Sequence, residues 1–368
     1  MTRLKKRLLF VLPYLGSGGA EKVLLTLLNN LSKEKYELHL CLIKEKGNYY
    51  DQLDKNIAVH LLNCNSFVLS FNKLYRCIKR VDPDIILGFL SFVIVYLGLI
   101  KILFLKKKKF IARETGLPSS RKKFLAKNSK ILCTITYGAM DAIISQCQYQ
   151  QNELISYYKI PSYKIKQIPN PTDCNVPKYI SNRSSDKINL VAAGSLSEIK
   201  NYHSLIAAIG LCHDESINLH IYGNGPLRDK LSQQIKNLNL QDRVFLHGFI
   251  RNLKEHFIHC DAFVITSQIE VCSNALLEAQ ACGLPAIAYN CPGANFEIII
   301  EGETGFLVEN NNIKMLAQII SEKNYLHMDR NYIHNHIKKR YDIANSITQY
   351  EQLFDNVLQK NDNNIELL

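Results

Sequence analysis

Short runs of β-branched residues and leucine alternate with apolar residues at helical spacing from one end of the chain to the other. Leu8 to Leu12 reads as a buried strand. After the turn Gly16-Ser17-Gly18-Gly19, apolar residues recur at Ala20, Val23, Leu24, Leu27, Leu28 and Leu31. Spacing of i, i+3, i+4 and i+7 gives a helix one apolar face. Further strands are predicted at Leu38 to Ile43, Val59 to Leu61, Ile85 to Gly88, Phe110 to Ala112, Ala142 to Ser145 and Ile165 to Ile168. The pattern restarts after Pro169-Asn170-Pro171 and a polar stretch through Asp186, with strands at Ile188 to Ala193, Leu219 to Tyr222, Val244 to His247, Ala262 to Thr266 and Ala286 to Ala288. Such alternation builds parallel sheets wrapped in helices. The expected fold is α/β, with two doubly wound, Rossmann-like domains over residues 1–177 and 178–340. A ligand is expected in a cleft lined by the C-terminal ends of the strands. Residues 341–368 are expected to hold an amphipathic helix, about Ile343 to Leu358, that returns to the first domain, and then a polar tail.

The length of 368 residues agrees with two domains. A chain 47% apolar and 21% charged forms a core, which excludes a disordered or collagen-like protein. The net charge of +12 is unevenly placed: residues up to Pro177 hold 28 basic and 12 acidic groups, and the remainder 17 and 21. The densest runs are Lys5-Lys6-Arg7, Lys106 to Lys109 and Arg121-Lys122-Lys123. The first half therefore calls for an anionic partner. Nucleic acid is disfavoured, because the charge is confined to one half and neither Trp nor a recognition motif is present.

Eleven cysteines without a C-x-x-C indicate reduced thiols and a cytoplasmic setting. His256, His259 and Cys260 lack a second half at zinc-ligand spacing, so no metal is expected. The first apolar run ends at Pro13, too soon for a signal peptide. Ile85 to Ile100 is uncharged but falls just short of the roughly 18 to 20 residues that span a bilayer. It parses as a strand and then an apolar helix from Ser91 to about Leu105, followed by four lysines. Two readings of that helix stay open. It either presses on an anionic bilayer surface or is a core helix whose basic end suits its dipole.

The segment richest in chemistry is Ser267 to Pro285, S-Q-I-E-V-C-S-N-A-L-L-E-A-Q-A-C-G-L-P. Glu270 falls on the loop after a strand, and Glu278 on the first turns of a helix starting near Ser273. Carboxylates accept paired hydroxyl hydrogen bonds, so the two can address different parts of a polyhydroxylated ligand. The backbone N–H groups near Asn274, Ala275 and Leu276 form a helix N-terminus suited to a phosphate. Glycine at Gly18 and Gly19 lets backbone approach a ligand. This turn is neither a Walker A sequence nor a full G-x-G-x-x-G, which argues against ATP or NAD. Asp82-Pro83-Asp84 has D-x-D form but precedes a first-domain strand and reads as structural.

Ordered motifs cover nearly the whole chain: G-G-A-E at Gly18 to Glu21, I-P-N-P-T-D at Ile168 to Asp173, A-A-G-S-L-S-E-I-K-N at Ala192 to Asn201, Y-G-N-G-P at Tyr222 to Pro226 and R-V-F-L-H-G-F at Arg243 to Phe249. The Glu pair, C-P-G at Cys291 to Gly293 and G-E-T-G-F-L-V at Gly302 to Val308 follow. In this order they resemble the retaining, Leloir-type glycosyltransferases of family 4, which have the GT-B fold. The resemblance implies that Glu270 holds hydroxyls of the transferred sugar and Glu278 the ribose of the nucleotide. Lys200 would be the cation on the donor diphosphate, stabilising the departing nucleotide. Gly18 and Gly19 would face donor phosphate and acceptor, and Gly223 and Ile250 would join the donor site, Ile250 beside the nucleobase with Phe249. Ser195 stands where the family usually has Arg, and Val271 where Gly is common. Arg113 and Glu114 are assigned to the acceptor side.

The implied activity is transfer of a hexose or N-acetylhexosamine from a UDP-sugar to a saccharide acceptor, lipid-linked, in cell-surface polysaccharide or lipopolysaccharide assembly at the inner face of the membrane. Neither metal nor cofactor is implied. The alternative, which Ser195 and Val271 favour, is a non-catalytic homologue that binds a nucleotide sugar or partners another transferase.

Overall fold

The continuous apolar run at the start of the chain becomes a central strand with both faces covered. In the computed structural model, which describes residues 5–65, 67–123, 127–176 and 187–359, this strand is β1 (Lys6–Leu12). Its side chains alternate between two cores, Leu8, Phe10 and Leu12 in one and Leu9 and Val11 in the other. The elements that follow are α1 (Gly19–Asn30), β2 (Tyr36–Leu42), β3 (Ala58–Leu61), α2 (Phe67–Val81), β4 (Ile85–Phe89), α3 (Ser91–Leu103), β5 (Lys109–Arg113), α4 (Lys127–Gly138), β6 (Ala142–Ser145), α5 (Gln148–Tyr158) and β7 (Ile165–Gln167). All these strands run parallel in the order β3-β2-β1-β4-β5-β6-β7. The order reverses between β1 and β4, the topological switch point.

The second sheet repeats the plan. It contains β8 (Ile188–Ala193), α6 (Tyr202–Leu211), β9 (Ile217–Tyr222), α7 (Arg228–Asn237), β10 (Val244–Gly248), α8 (Lys254–Phe257), β11 (Ala262–Ile265), α9 (Asn274–Ala281), β12 (Ala286–Tyr289), α10 (Asn295–Ile298) and β13 (Gly305–Val308). Helices α11 (Ile313–Glu322) and α12 (Arg330–Tyr341) come next. The strand order is β10-β9-β8-β11-β12-β13, which puts the switch point between β8 and β11. Strand β13 lies inside G-E-T-G-F-L-V and was not predicted: four residues directly after a glycine turn read as loop, and pairing with β12 makes them a strand.

The division between the units falls between Pro171 and Thr172, where the sequence suggested Pro177, and residues 177–186 of the expected linker lie outside those described. Thr172 donates its N–H to the Tyr341 carbonyl at 2.8 Å and bridges Asp342 in parallel. The outgoing and returning segments are thus paired within the second unit. From Ile343 the chain belongs to the first unit again. There α13 (Ile343–Gln359) places Tyr350, Leu353, Phe354 and Val357 in the same core as Leu24 and Leu28 of α1. Asp84 accepts the Arg7 N–H at 2.7 Å, and Asp82 accepts Lys108 at 2.6 Å. The D-x-D segment therefore fastens β4 to its surroundings. All eleven cysteines are buried and none is in a disulfide.

Candidate functional site

Lys200 and Glu270 stand on the loops after β8 and β11, the two strands that flank the switch point of the second sheet. Those loops are joined by backbone and side chain. Gln268 donates its N–H to the Ile199 carbonyl at 2.8 Å, and the Thr266 hydroxyl reaches the Lys200 and Asn201 carbonyls at 3.2 and 3.1 Å. With the loops locked in this way, the Lys200 ammonium forms an ion pair with the Glu270 carboxylate. The Ser267 hydroxyl donates to the same carboxylate oxygen at 2.9 Å. The two charged side chains retain 21% and 12% of their exposure, so they are shielded yet open to a ligand.

The Glu270 backbone is fixed from the other side. Its N–H donates to Pro292 and its carbonyl accepts from Ala294, each at 3.0 Å. Between these two, Gly293 has φ +141°, and a Cβ there would lie 1.9 Å from the Glu270 carbonyl oxygen. The C-P-G segment therefore supplies a glycine that only glycine can be. Burial and then the Glu270 charge hold the Cys291 thiol up at about 12, and the same two causes raise the Tyr202 phenol. Cys291 is thus a protonated, unreactive thiol at neutral pH.

Three stacked turns support the β8 side. Gly194 donates to the Tyr222 carbonyl at 2.9 Å, Leu196 to Asn224 at 2.9 Å and Gly223 to Gly248 at 2.7 Å. A Cβ on Gly223 would sit 1.8 Å from the Gly194 oxygen, so this glycine permits the stacking. Ser195 is exposed on the first of these turns, its hydroxyl 3.0 Å from that of Ser197. Beyond β10, Ile250 is half-buried and Phe249 exposed.

Helix α9 starts one turn after Glu270. Its Ser273 cap accepts the Leu276 N–H at 3.3 Å. This corrects the expectation that all three N–H groups face outward: Leu276 is engaged by its own cap, the ordinary outcome with Ser at that position. Asn274 and Ala275 are the first two residues of the helix. Glu278 is buried one turn further on.

Gly18 and Gly19 belong to the first unit, at the start of α1. Here the structure shows a residue for which no role was predicted. The buried Glu21 carboxylate folds back over Gly18, where a Cβ would lie 2.4 Å from Glu21 Oε2. Burial pushes this carboxyl above the usual carboxylate range. The G-G-A-E motif contained the signal, since a glycine three residues before a buried acid leaves room for it.

Arg113 and Glu114 are a correction. They are 1% and 0% exposed, and their polar groups are spent inside the first unit rather than offered to an acceptor. The Arg113 guanidinium donates to the Tyr350 hydroxyl at 2.7 Å and to Asn170, tying β5 to α13 and to the I-P-N-P segment. The Glu114 carboxylate accepts from the Tyr137 hydroxyl and from the N–H groups of Thr115 and Gly116, at 2.7 and 2.9 Å.

Residues 17–176 match the family described as Glycosyltransferase Family 4, and residues 178–339 the family described as Glycosyl transferases group 1. Over 322 residues the chain is 30% identical to the N-acetylgalactosamine-N,N'-diacetylbacillosaminyl-diphospho-undecaprenol 4-alpha-N-acetylgalactosaminyltransferase of Campylobacter jejuni, covering 83% of this chain and 86% of that protein. The chain belongs to the group 1 glycosyl transferases. This glycosyl transferase is also 25% identical over 315 residues to the amylovoran biosynthesis glycosyltransferase AmsD of Erwinia amylovora, covering 82% of this chain and 86% of that one. Among solved structures it is similar to Anabaena HepE in complex with UDP and glucose, with TM-score 0.81 and 19% identity over 95% of this chain and 100% of the other. Such structures establish the GT-B fold that the motif order implied.

Proposed function

We propose that this glycosyltransferase moves a hexose or N-acetylhexosamine from a UDP-sugar to a lipid-linked saccharide, with retention of anomeric configuration, in cell-surface polysaccharide or lipopolysaccharide assembly at the inner face of the membrane. The observation that carries the reading is the Lys200–Glu270 pair on the switch-point loops, one turn before the N-terminus of α9. A lysine, a sugar-binding carboxylate and a helix end in that arrangement suit a nucleotide sugar. The names of relatives lend support: the Campylobacter enzyme acts on a diphospho-undecaprenol-linked sugar, and HepE holds UDP and glucose.

In this reading Lys200 leaves Glu270 in part to meet the diphosphate, and Glu270 turns to the sugar hydroxyls. Asn274 and Ala275 direct N–H groups to the phosphate, Glu278 takes the ribose, and the Ile250 backbone takes the base. Gly223 shapes the turn beneath Ser195, and Gly18 and Gly19 belong to the acceptor-facing unit. The bond from the anomeric carbon to the phosphate oxygen breaks as the acceptor oxygen bonds on the same face. The departing phosphate takes the acceptor proton. Charge on the leaving group is met by Lys200 and the helix end, so neither metal nor cofactor is assigned.

A screen of UDP-hexoses and UDP-N-acetylhexosamines, with polyprenyl-diphosphate-linked acceptors, tests the proposal by UDP release and by the anomeric coupling constant of the product. Release that requires one donor, survives EDTA and yields the donor's anomer is expected. Inversion, or dependence on a divalent ion, contradicts it. The exposed Ser195, with no cation in its side chain, favours a second reading as a non-catalytic nucleotide-sugar binder. Binding of UDP-sugar without turnover on any acceptor would select that reading.

A further inference from the structure

We propose that Cys77 and Cys41 are an oxidisable thiol pair: a small hydroperoxide oxidises Cys77, and Cys41 then closes a disulfide that fastens α2 to β2. The pair lies in the first unit and takes no part in the donor chemistry described above.

Side chains alternate along β2, so Leu38, Leu40 and Leu42 enter the core shared with α1, and Cys41 enters the other, with Cys64, Leu74, Cys77 and Ile78. There the Cys41 and Cys77 thiols hydrogen-bond to one another. One turn further along α2, at i+3, the exposed Arg80 reaches back and hydrogen-bonds to the Cys77 sulfur. Strand β3 holds the guanidinium in place: Arg80 donates at 3.5 Å to Nδ1 of His60, the residue paired in register with Cys41. Cys64, the third thiol of the cluster, is engaged elsewhere and donates to the Leu62 carbonyl at 3.4 Å. Two thiols in contact under a fixed cation are the parts that a redox pair needs.

The surroundings assign the two roles. The hydrogen bond from Cys41 and then the Arg80 guanidinium hold the Cys77 thiol below its usual range in spite of burial. Elsewhere burial wins, and Cys174, Cys260 and Cys282 are pushed up to about 12. The thiolate is the nucleophile, so Cys77 attacks. Cys41, raised by its hydrogen bond to Cys77, keeps its proton and is the resolving partner. With hydrogen peroxide, the Cys77 sulfur bonds to one oxygen as the O–O bond breaks. The other oxygen takes up the proton that Cys77 gave up and leaves as water. The Cys41 sulfur then displaces the hydroxyl of the sulfenic acid, which departs with the Cys41 proton as a second water. Two electrons have passed from the sulfurs to the peroxide. Cys77 is 3% exposed and Cys41 0%, which admits a small hydroperoxide and shuts out a bulky disulfide such as that of glutathione.

The test treats the full chain with hydrogen peroxide, blocks the remaining thiols, digests without reductant and reads the peptides by mass spectrometry. A cross-link between the Cys41 and Cys77 peptides is expected before any other cysteine is modified, and dithiothreitol should remove it. Cys41→Ser should stop at a Cys77 sulfenic acid that dimedone captures. Cys77→Ser should leave Cys41 unmodified at the same dose. Arg80→Gln, a surface substitution whose circular dichroism should match wild type, is expected to slow the cross-link about tenfold. A wild-type chain that forms no cross-link at doses that oxidise its methionines overturns the pair. So does a bridge through Cys64, an unchanged rate in Arg80→Gln, or glutathione disulfide labelling Cys77 as fast as peroxide oxidises it.

Discussion

At the switch point of the second unit, polar groups are engaged with one another. Gln268 and Thr266 sew the β11 loop to the β8 loop, and the charges of Lys200 and Glu270 meet where the loops join. At the switch point of the first unit, β1 runs into a glycine turn with Glu21 folded over Gly18, and β4 is followed by Leu90 with φ +68°. The same strand order thus makes a crevice in each unit, and side chains decide what it holds. The outer surfaces differ as well. The first unit holds 29 basic and 15 acidic groups, whereas the second, Thr172 to Asp342, holds 16 and 18 and brings its charged pair together on two loops. In the proposed function the first unit's charge would serve an anionic acceptor, and donor binding would be a local matter of one lysine and one helix end.

If the units are energetically distinct, Phe354→Ala should cost the first unit about 3–5 kcal/mol, because a fully buried ring of α13 leaves a cavity. Calorimetry should show one transition lowered and the transition of the second unit, followed by UDP protection, little changed. Gly293→Ala acts in the opposite unit. The new Cβ displaces the Glu270 carbonyl, so about 1–3 kcal/mol of stability is lost and the donor KM rises, measured by melting and by donor titration. Ser273→Ala removes the α9 cap at a cost of about 1 kcal/mol, with weaker UDP binding by calorimetry.

The smallest effect is one of pH. His220 of the second unit stacks on His247, with 2.9 Å between their ring nitrogens, and burial followed by its histidine neighbours holds it down at about 4. Unfolded, it titrates at about 6.5. Its contribution to stability is present above that value and is lost as pH falls through about 4. In the first unit, His39 stacks on His60 but also meets the Glu37 carboxylate at 2.9 Å. Urea melts between these pH values should show the second unit losing stability, with His220→Leu flattening the slope. An unchanged slope would remove the contrast.

Much of the fold could be read from the sequence because buried parallel strands are apolar without interruption, as at Leu8 to Leu12 and Ile188 to Ala193, whose predicted bounds differ from the observed strands by two residues or none. Strand β13 was hidden because its apolar run, Phe306 to Val308, follows a glycine turn directly and shows as a strand only once it pairs with β12. The motif order singled out Lys200 and Glu270, but their pairing depends on β8 lying beside β11, a contact across 70 positions that no local pattern encodes. Arg113 and Glu114 were misplaced for the same reason. A charged pair after a strand reads as a ligand site until Tyr350, Asn170 and Tyr137 are seen to consume it. The Ser273 cap, by contrast, was open to reading from Ser three positions before Leu276.

The most direct measurement is the steady-state rate of UDP release by Lys200→Ala beside wild type, with the melting temperature of each. Loss of the cation at the leaving group should lower kcat by about 10² to 10³ with little change in stability. A variant that turns over at the wild-type rate would contradict the assignment of the switch-point pair as the donor site.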